Sequence, residues 1–289
     1  MSEASIRIGV SDGVALHVRQ WGPPPIRLLL VHGFGQGSFV WRSLAQSLPE
    51  CGIAAVDLRG HGDSDRDPMQ HYAVATHVQD VVAVARALGL RDYVLLGHSL
   101  GAAVAILASE HLPQPPRAVV LIDGGPGLSA TASAYIRDEF LRSKFRYRSV
   151  GEYEEQLQAA MPLAVPALLR ALATDALEAL GPDEFRLKAD RALGYQQACP
   201  TLESSLWQAL EQLVIPVLLV RGAVSALCSR LWTDAFITRV PDAIVEAVDR
   251  AGHAVMLDNP VQFNAVVRRY LSHWLGPQVG PTPHLASLD

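Results

Sequence analysis

The sequence predicts an α/β chain: a mostly parallel sheet with helices on both faces and a helical segment inserted between two of its strands. Three observations predict it. Short, continuous apolar runs recur up to residue 122 and return after residue 214. Amphipathic or wholly apolar helical patterns lie between them. Between residues 127 and 213 the runs stop, and helix-prone segments replace them. A short apolar run bounded by turn residues marks a strand buried on both faces. Strands that alternate with helices form a parallel sheet with right-handed crossovers.

The elements follow in order. Residues 5–10 and 14–20 flank Ser11-Asp12-Gly13, a turn signal, and read as a hairpin. Pro23-Pro24-Pro25 breaks regular structure. Residues 26–31, 53–58, 93–96, 118–122 and 216–220 read as buried strands, with 243–248 a weaker sixth. Residues 40–48 read as a helix. Residues 72–88 place Val78, Val81, Val82 and Ala85 at helical spacing, and Gly89 stops them. Residues 100–109 are apolar nearly all round, which marks a buried helix. In the inserted segment, helices are expected over 134–145, 150–161, 167–180, 182–193 and 201–212, punctuated by Pro162, Pro166, Gly181, Pro182 and Pro200. The organisation is thus a discontinuous sheet domain (1–127 and 213–275), a helical insertion (128–212) and a Gly- and Pro-rich tail (276–289) expected to be mobile.

Composition narrows the function. The chain has 289 residues, 49% hydrophobic and 18% charged, enough for a sizeable core and unlike a disordered chain. A net charge of −5 gives no global attraction for nucleic acid or an anionic membrane. The cysteines, Cys51, Cys199 and Cys228, have no Cys-x-x-Cys spacing, so neither a disulfide framework nor a zinc site is expected. Residues 1–7 show no basic-then-apolar leader, and no run of about 18 apolar residues exists. The expectation is a cytoplasmic protein.

The chemistry centres on Gly97-His98-Ser99-Leu100-Gly101, which follows an apolar strand and opens an apolar helix. A nucleophile on a tight strand-to-helix turn needs small neighbours, and the helix brings free N–H groups beside it. The alternative is a serine in an ordinary glycine-rich turn. His32-Gly33-Phe34-Gly35 follows another strand, and its loop can aim the Phe34 N–H at the same point as the Leu100 N–H, forming an oxyanion hole. The alternative there is a plain turn. Ala251-Gly252-His253 follows the last strand, so His253 can turn toward Ser99 as general base. Arg59-Gly60-His61-Gly62-Asp63-Ser64 reads as a structural loop pinned by its own polar contacts.

With these residues in place, the chain resembles the α/β-hydrolase fold family over residues 5–127 and 213–275, with the middle as that family's helical cap. The carrying motifs are His32-Gly33, the 59–64 loop, Gly97-His98-Ser99-Leu100-Gly101 and Gly252-His253. The resemblance implies Ser99 as nucleophile, His253 as base and oxyanion donors at Phe34 and Leu100. It specifies fold well and substrate poorly.

One member of the implied triad is missing from its usual place. The family ordinarily carries the acid in the loop after the strand that ends at Val220, three or four residues past the glycine. Here those places are Ser225 and Ala226. A general-base histidine needs an anion to fix its tautomer, and losing it costs roughly four orders of magnitude in rate. Asp123, at the end of the strand after the elbow strand, is the substitute expected. The resemblance supports it, since some lipases, dehalogenases and cofactor-free dioxygenases of this fold place the acid there. The alternative is a turn former before Gly124-Gly125-Pro126. Asp249 is close to His253 in sequence, but adjacency along the chain does not give the geometry, and Asp234 and Asp242 read as helix and turn residues.

The leading expectation is a serine hydrolase that cleaves an ester, thioester or lactone, with no metal or organic cofactor. The partner is a small, partly apolar acyl substrate, on a carrier protein if the bond is a thioester. Met161, Leu163, Leu168, Leu169, Phe185, Tyr195 and Trp207 are candidate liners, though side chains at such spacing are more often core. Competing readings are an acyltransferase or cyclising thioesterase, a C–C hydrolase or cofactor-free oxygenase, and a non-catalytic ligand receptor. Ser at 99 stands against an Asp-nucleophile epoxide or halide hydrolase.

Overall fold

In the computed structural model, residues 3–196 and 199–276 are described. Their strands are β1 (Glu3–Gly9), β2 (Ala15–Trp21), β3 (Ile26–Val31), β4 (Gly52–Val56), β5 (Val94–His98), β6 (Ala118–Ile122), β7 (Arg146–Tyr147), β8 (Leu177–Gly181), β9 (Glu184–Leu187), β10 (Val217–Gly222) and β11 (Ile244–Val248). The helices are α1 (Arg42–Ser47), α2 (Val74–Ala87), α3 (Leu100–Ala108), α4 (Ala130–Arg142), α5 (Val150–Ala160), α6 (Pro166–Ala176), α7 (Leu202–Gln212), α8 (Arg230–Arg239), α9 (Val255–Asp258) and α10 (Pro260–Leu275). The predicted tail beyond Gly276 lies outside the described residues.

Eight strands form one sheet in the order β1-β2-β4-β3-β5-β6-β10-β11. It is parallel from β4 through β11, while β1 and β2 form an antiparallel hairpin that joins β4 antiparallel. The apolar runs divide by parity, as alternation along a strand requires. Leu28, Leu30, Val94, Leu96, Val120, Ile122, Leu218 and Val220 face one cluster. Leu29, Val31, Leu95, Val119, Leu121 and Leu219 face the other. The first cluster takes in α1 and α10 and runs on into the cap; the second takes in α2, α3 and α8. Both faces of the sheet are therefore covered, and the mostly parallel α/β prediction holds.

The chain between β6 and β10 leaves and re-enters the sheet at adjacent strands, so a long insertion there leaves the pairing intact. It differs from the all-helical expectation in one stretch. Residues 177–187, expected within two helices, form a hairpin: β8 and β9 pair antiparallel and β7 joins the other edge of β9. Leu177, Glu178 and Ala179 are good helix formers, but Pro182 follows Gly181 at the tip, and its fixed φ and missing N–H suit a turn. Cross-strand pairs Arg186–Glu178 and Arg146–Glu184 add to the hairpin. Tertiary context thus outweighs local propensity. At the far end of the insertion, α7 packs on α3 and buries Leu206, Trp207 and Leu210 in the second cluster, within the helical layer of the sheet.

Polar contacts seat the inserted segment on the rest of the chain. Val165 donates its N–H to Leu257 O and Asp190 to Gly60 O. Tyr72 donates its hydroxyl to the Asp190 carboxylate, and Arg42 pairs with Asp175. Among the described residues, no helix is long and apolar enough to cross a membrane.

Candidate active site

Five loops, those after β3, β5, β6, β10 and β11, meet at the C-terminal edge of the parallel strands, where an open α/β sheet places its ligand crevice. Ser99 sits between β5 and α3 with φ 53° and ψ −114°, a strained conformation for a residue with a Cβ. Its N–H donates to Ile122 O at 3.0 Å, which ties the turn to the end of β6. The flanking glycines are required by contact. A Cβ on Gly97 would lie 2.1 Å from Gly101 O, and one on Gly101 would lie 2.2 Å from Val31 O. The two glycines thus let α3 start directly against β5 and β3.

Asp123 leaves β6 at φ 42° and is wholly buried. His253 follows β11 and keeps 27% of its side chain exposed. The structure brings the three residues into one line. His253 Nδ1 stands 2.8 Å from Asp123 Oδ2, and His253 Nε2 stands 3.0 Å from Ser99 Oγ. With the carboxylate accepting from Nδ1–H, Nε2 is left free to accept the serine proton. Asp249 does not take part. It is exposed, and its neighbour is Gln262.

Asp123 is held by more than the histidine. Gly222 donates its N–H to Asp123 Oδ1 at 3.0 Å, and Ser225 donates its hydroxyl to Oδ2 at 2.6 Å. The loop after β10, which carries Ser225 and Ala226 and no carboxylate, thus reaches Asp123. The His253 loop is braced by Asp258, whose Oδ2 accepts the Gly252 N–H at 2.7 Å. Burial pushes the Asp258 carboxyl above its ordinary range, against the opposing pull of the Gly252 N–H and of His253.

His98 joins three of the loops. Its Nε2–H donates to the His253 carbonyl at 2.9 Å, and its Nδ1 lies 3.0 Å from Gln36 Oε1. Gln36 Oε1 also accepts the Gly33 N–H at 3.1 Å. Burial, helped by the nearby His253, holds the His98 imidazole well below its ordinary value. His32 fixes the other side of the same loop: its Nδ1–H donates to Gly33 O and its Nε2 accepts the Leu58 N–H. Among the backbone hydrogen bonds that the described residues make outside their helices and strands, none uses the N–H of Phe34 or of Leu100. His61 is buried with Nδ1 on Arg59 O, in keeping with a structural loop.

The surroundings are aromatic on one side. Phe34 packs edge-on to Phe140 at 4.9 Å between ring centres, and Phe140 to Phe145 at 5.0 Å. Phe140, from α4, was not among the liners expected from sequence. Of those expected, Leu169 and Trp207 are buried as core, and Tyr195 is exposed. Met161, Leu168 and Phe185 are partly buried against the first cluster. Surface grooves of about 500 Å³, at Trp207 and Arg239, and about 740 Å³, at Tyr147 and Asp183, contain none of the site residues.

Two residue triplets carry donor types a metal could use: Asp12, Asp67 and His71, and His17, Asp57 and Asp63. Their buried carboxylates are already engaged. Asp67 pairs with Arg59, while Asp57 accepts from His17 and from the N–H groups of Ser38 and Asp63. Neither triplet includes Ser99, His253 or Asp123.

Comparison with known proteins agrees with this architecture. The chain is 27% identical to lipase LipV of Mycobacterium tuberculosis, over 89% of this chain and 98% of that protein. It is 29% identical to 2-(acetamidomethylene)succinate hydrolase of Mesorhizobium japonicum, over 84% of this chain and 86% of that one. The crystal structure of an E-2-(acetamidomethylene)succinate hydrolase superposes with a TM-score of 0.85 at 28% identity, covering 94% of this chain and all (100%) of that one. The profile described as the alpha/beta hydrolase family matches residues 28–266. A mostly parallel eight-stranded sheet, with the family profile matched over residues 28–266, makes this chain a member of the alpha/beta hydrolase family.

Proposed function

We propose that the protein is a serine hydrolase that cleaves an ester, thioester or lactone through an acyl-enzyme, using Ser99, His253 and an acid displaced to Asp123. The observation that carries this reading is the unbroken pair of hydrogen bonds from Asp123 through His253 to Ser99. In the reaction, His253 Nε2 takes the Ser99 proton as Oγ attacks the carbonyl carbon. The developing oxyanion is received by the Phe34 and Leu100 N–H groups, and the imidazolium faces the Asp123 carboxylate. His253 returns the proton to the leaving group. Water then attacks the acyl-enzyme by the same route in reverse, releasing the acid and regenerating Ser99.

The Phe34–Phe140–Phe145 ladder supports a partly apolar substrate. The likeness to an E-2-(acetamidomethylene)succinate hydrolase at a TM-score of 0.85 supports a second reading, in which the substrate is an acetamido-substituted acid of that kind. A fluorophosphonate probe tests the chemistry, and a panel of p-nitrophenyl esters, acyl thioesters, lactones and N-acyl enamides tests the substrate. Labelling confined to Ser99 and abolished in Ser99→Ala is expected, with turnover of at least one acyl class. A wild-type protein that neither labels nor turns over any of them overturns the reading.

A further inference from the structure

We infer that Ser225 is a positioning residue for the displaced acid: from the loop place where this fold ordinarily carries its acid, its hydroxyl fixes and stabilises the Asp123 carboxylate. The inference rests on the Ser99–His253–Asp123 reading and deepens it. Ser225 Oγ and His253 Nδ1 meet the same oxygen, Asp123 Oδ2, at 2.6 Å and 2.8 Å. The direction of the Ser225 proton is fixed by the rest of its surroundings. Its oxygen accepts the N–H groups of Leu227 and Cys228, each at 3.2 Å, so its one proton is left for the carboxylate.

The loop that holds Ser225 is itself rigidly tied. Arg221 donates from Nε to Cys228 O at 2.7 Å and from a terminal nitrogen to Ala223 O. Ser225 donates its N–H to Gly222 O, Ala223 to Val248 O, and Val224 to Ala251 O. The last two contacts bind the loop to the segment that leads into His253. Ser225 thus couples the acid from β6 to the base that follows β11, through a loop attached to both.

The electrostatics point the same way. Asp123 is wholly buried, and a carboxylate stays ionised out of water only where donors replace its hydration. Gly222 N–H, Ser225 O–H and His253 Nδ1–H are those donors. A carboxylate at 225 would instead meet Asp123 as a like charge. Serine at 225 and aspartate at 123 are therefore complementary choices, and an acid moved back to 225 should work only when 123 is neutral. The titratable groups that face this pair are His98, Cys228 and Asp258. Each is left unchanged in the variants below.

The test uses fluorophosphonate labelling at Ser99 and hydrolysis of p-nitrophenyl butyrate by the full chain. Ser225→Ala should fold and lose about 10- to 100-fold in kcat with KM little changed, the range expected for one hydrogen bond to a charged group. With that donor gone, Asp123 holds the His253 proton more firmly, so the acid limb of the kcat/KM profile should move to higher pH. A purely structural role for Ser225 would not move that limb. Ser225→Thr, which keeps the hydroxyl, should restore the rate and the profile. In the relocation pair, Asp123→Ser with Ser225→Asp should be at least about tenfold faster than Asp123→Ser alone. That pair also decides the matter if Ser225→Ala fails to fold. An unmoved profile and rate in Ser225→Ala, or no gain from the relocation where Ser225→Ala is unfolded, overturns the inference and leaves the triad standing. Near-normal labelling in Asp123→Ala overturns the triad reading, and this inference with it.

Discussion

The Asp123 carboxylate meets His253 Nδ1 at 2.8 Å across 130 residues of chain, from a strand two places away in the sheet. Between their strands lies β10, whose following loop supplies no carboxylate and instead grips Asp123 through Gly222 and Ser225. The pairing predicts a sharp contrast between two aspartates. Asp123→Ala should lower kcat by about 10⁴-fold while the protein stays folded, since the wrong tautomer of His253 is then no longer disfavoured. Asp249→Ala should stay within about twofold of wild type, because its carboxylate faces only Gln262. Steady-state kinetics with circular dichroism on both variants checks this, and equal losses would contradict it.

The parts of this site that could be read from sequence are those whose signal is local. Ser99 announces itself because strand, turn and helix are contiguous, and the glycines its neighbours demand are printed beside it. The buried strands announce themselves because apolar residues fill both parities. Asp123 was reachable only indirectly, from the gap at Ser225 and Ala226, from its place at the end of the strand after the one that leads to Ser99, and from the family resemblance. Gln36, His98, Ser225 and Asp258 carried no such signal. Gln36 and His98 are 62 positions apart, and Ser225 and Asp123 are 102 apart, so their roles exist only once the loops are assembled. The hairpin of β8 and β9 was hidden for the opposite reason: its residues carry a strong local preference, and it is helical.

Asp258 predicts a loop effect distinct from the loss of the acid. Its carboxylate accepts the Gly252 N–H, one residue before His253. Asp258→Ala leaves that donor without its partner and loosens the turn that presents the imidazole. The labelling rate at Ser99 should fall about tenfold, the scale of one charge-assisted hydrogen bond. Asp258→Asn keeps an acceptor oxygen and should recover most of the loss. If alanine and asparagine behave alike, the Gly252 contact is not what positions His253.

The buried histidines make stability depend on pH in a defined direction. Burial holds His32 below its ordinary value, His61 and His98 well below it, and His77 down to about 3. Their folded-state values are depressed, so the unfolded chain binds protons first as pH falls. The stability they contribute is complete above about pH 6.5 and is lost as pH falls toward the folded values, at up to about 1.4 kcal/mol per pH unit for each group. Asp57 extends the loss further. Burial pushes its carboxyl up, but the His17 hydrogen bond and the His32, Ser38 and Asp63 groups outweigh that and hold it at about 2, so its contribution disappears as pH falls from about 3.8 toward 2. Urea midpoints between pH 7 and pH 5 should therefore fall steeply, and His77→Gln should flatten the slope by about one proton. An unchanged slope in that variant would exclude His77 from the acid response.

Arg59 predicts the largest loss of stability. Its guanidinium is fully buried; Nη1 lies 2.6 Å from Asp67 Oδ2, and Nη2 and Nε lie 2.9 Å and 3.0 Å from the two Asp80 oxygens. Burial alone would favour the neutral form, but the two carboxylates reverse that and raise its pKa. Replacing it with methionine leaves Asp67 and Asp80 buried without their counter-charge, which should cost about 3–5 kcal/mol in urea unfolding. Neutralising both partners in the same chain, with Asp67→Asn and Asp80→Asn, removes the orphaned charges and should return a large part of that cost. The loop has a second duty, because Gly60 O accepts the Asp190 N–H and Asp63 pairs with Lys188 of the cap. Arg59→Met should therefore increase proteolysis within residues 184–191 before the sheet domain unfolds. Cleavage there at the wild-type rate, in a variant whose urea midpoint has dropped, would separate the stability of the loop from the seating of the cap.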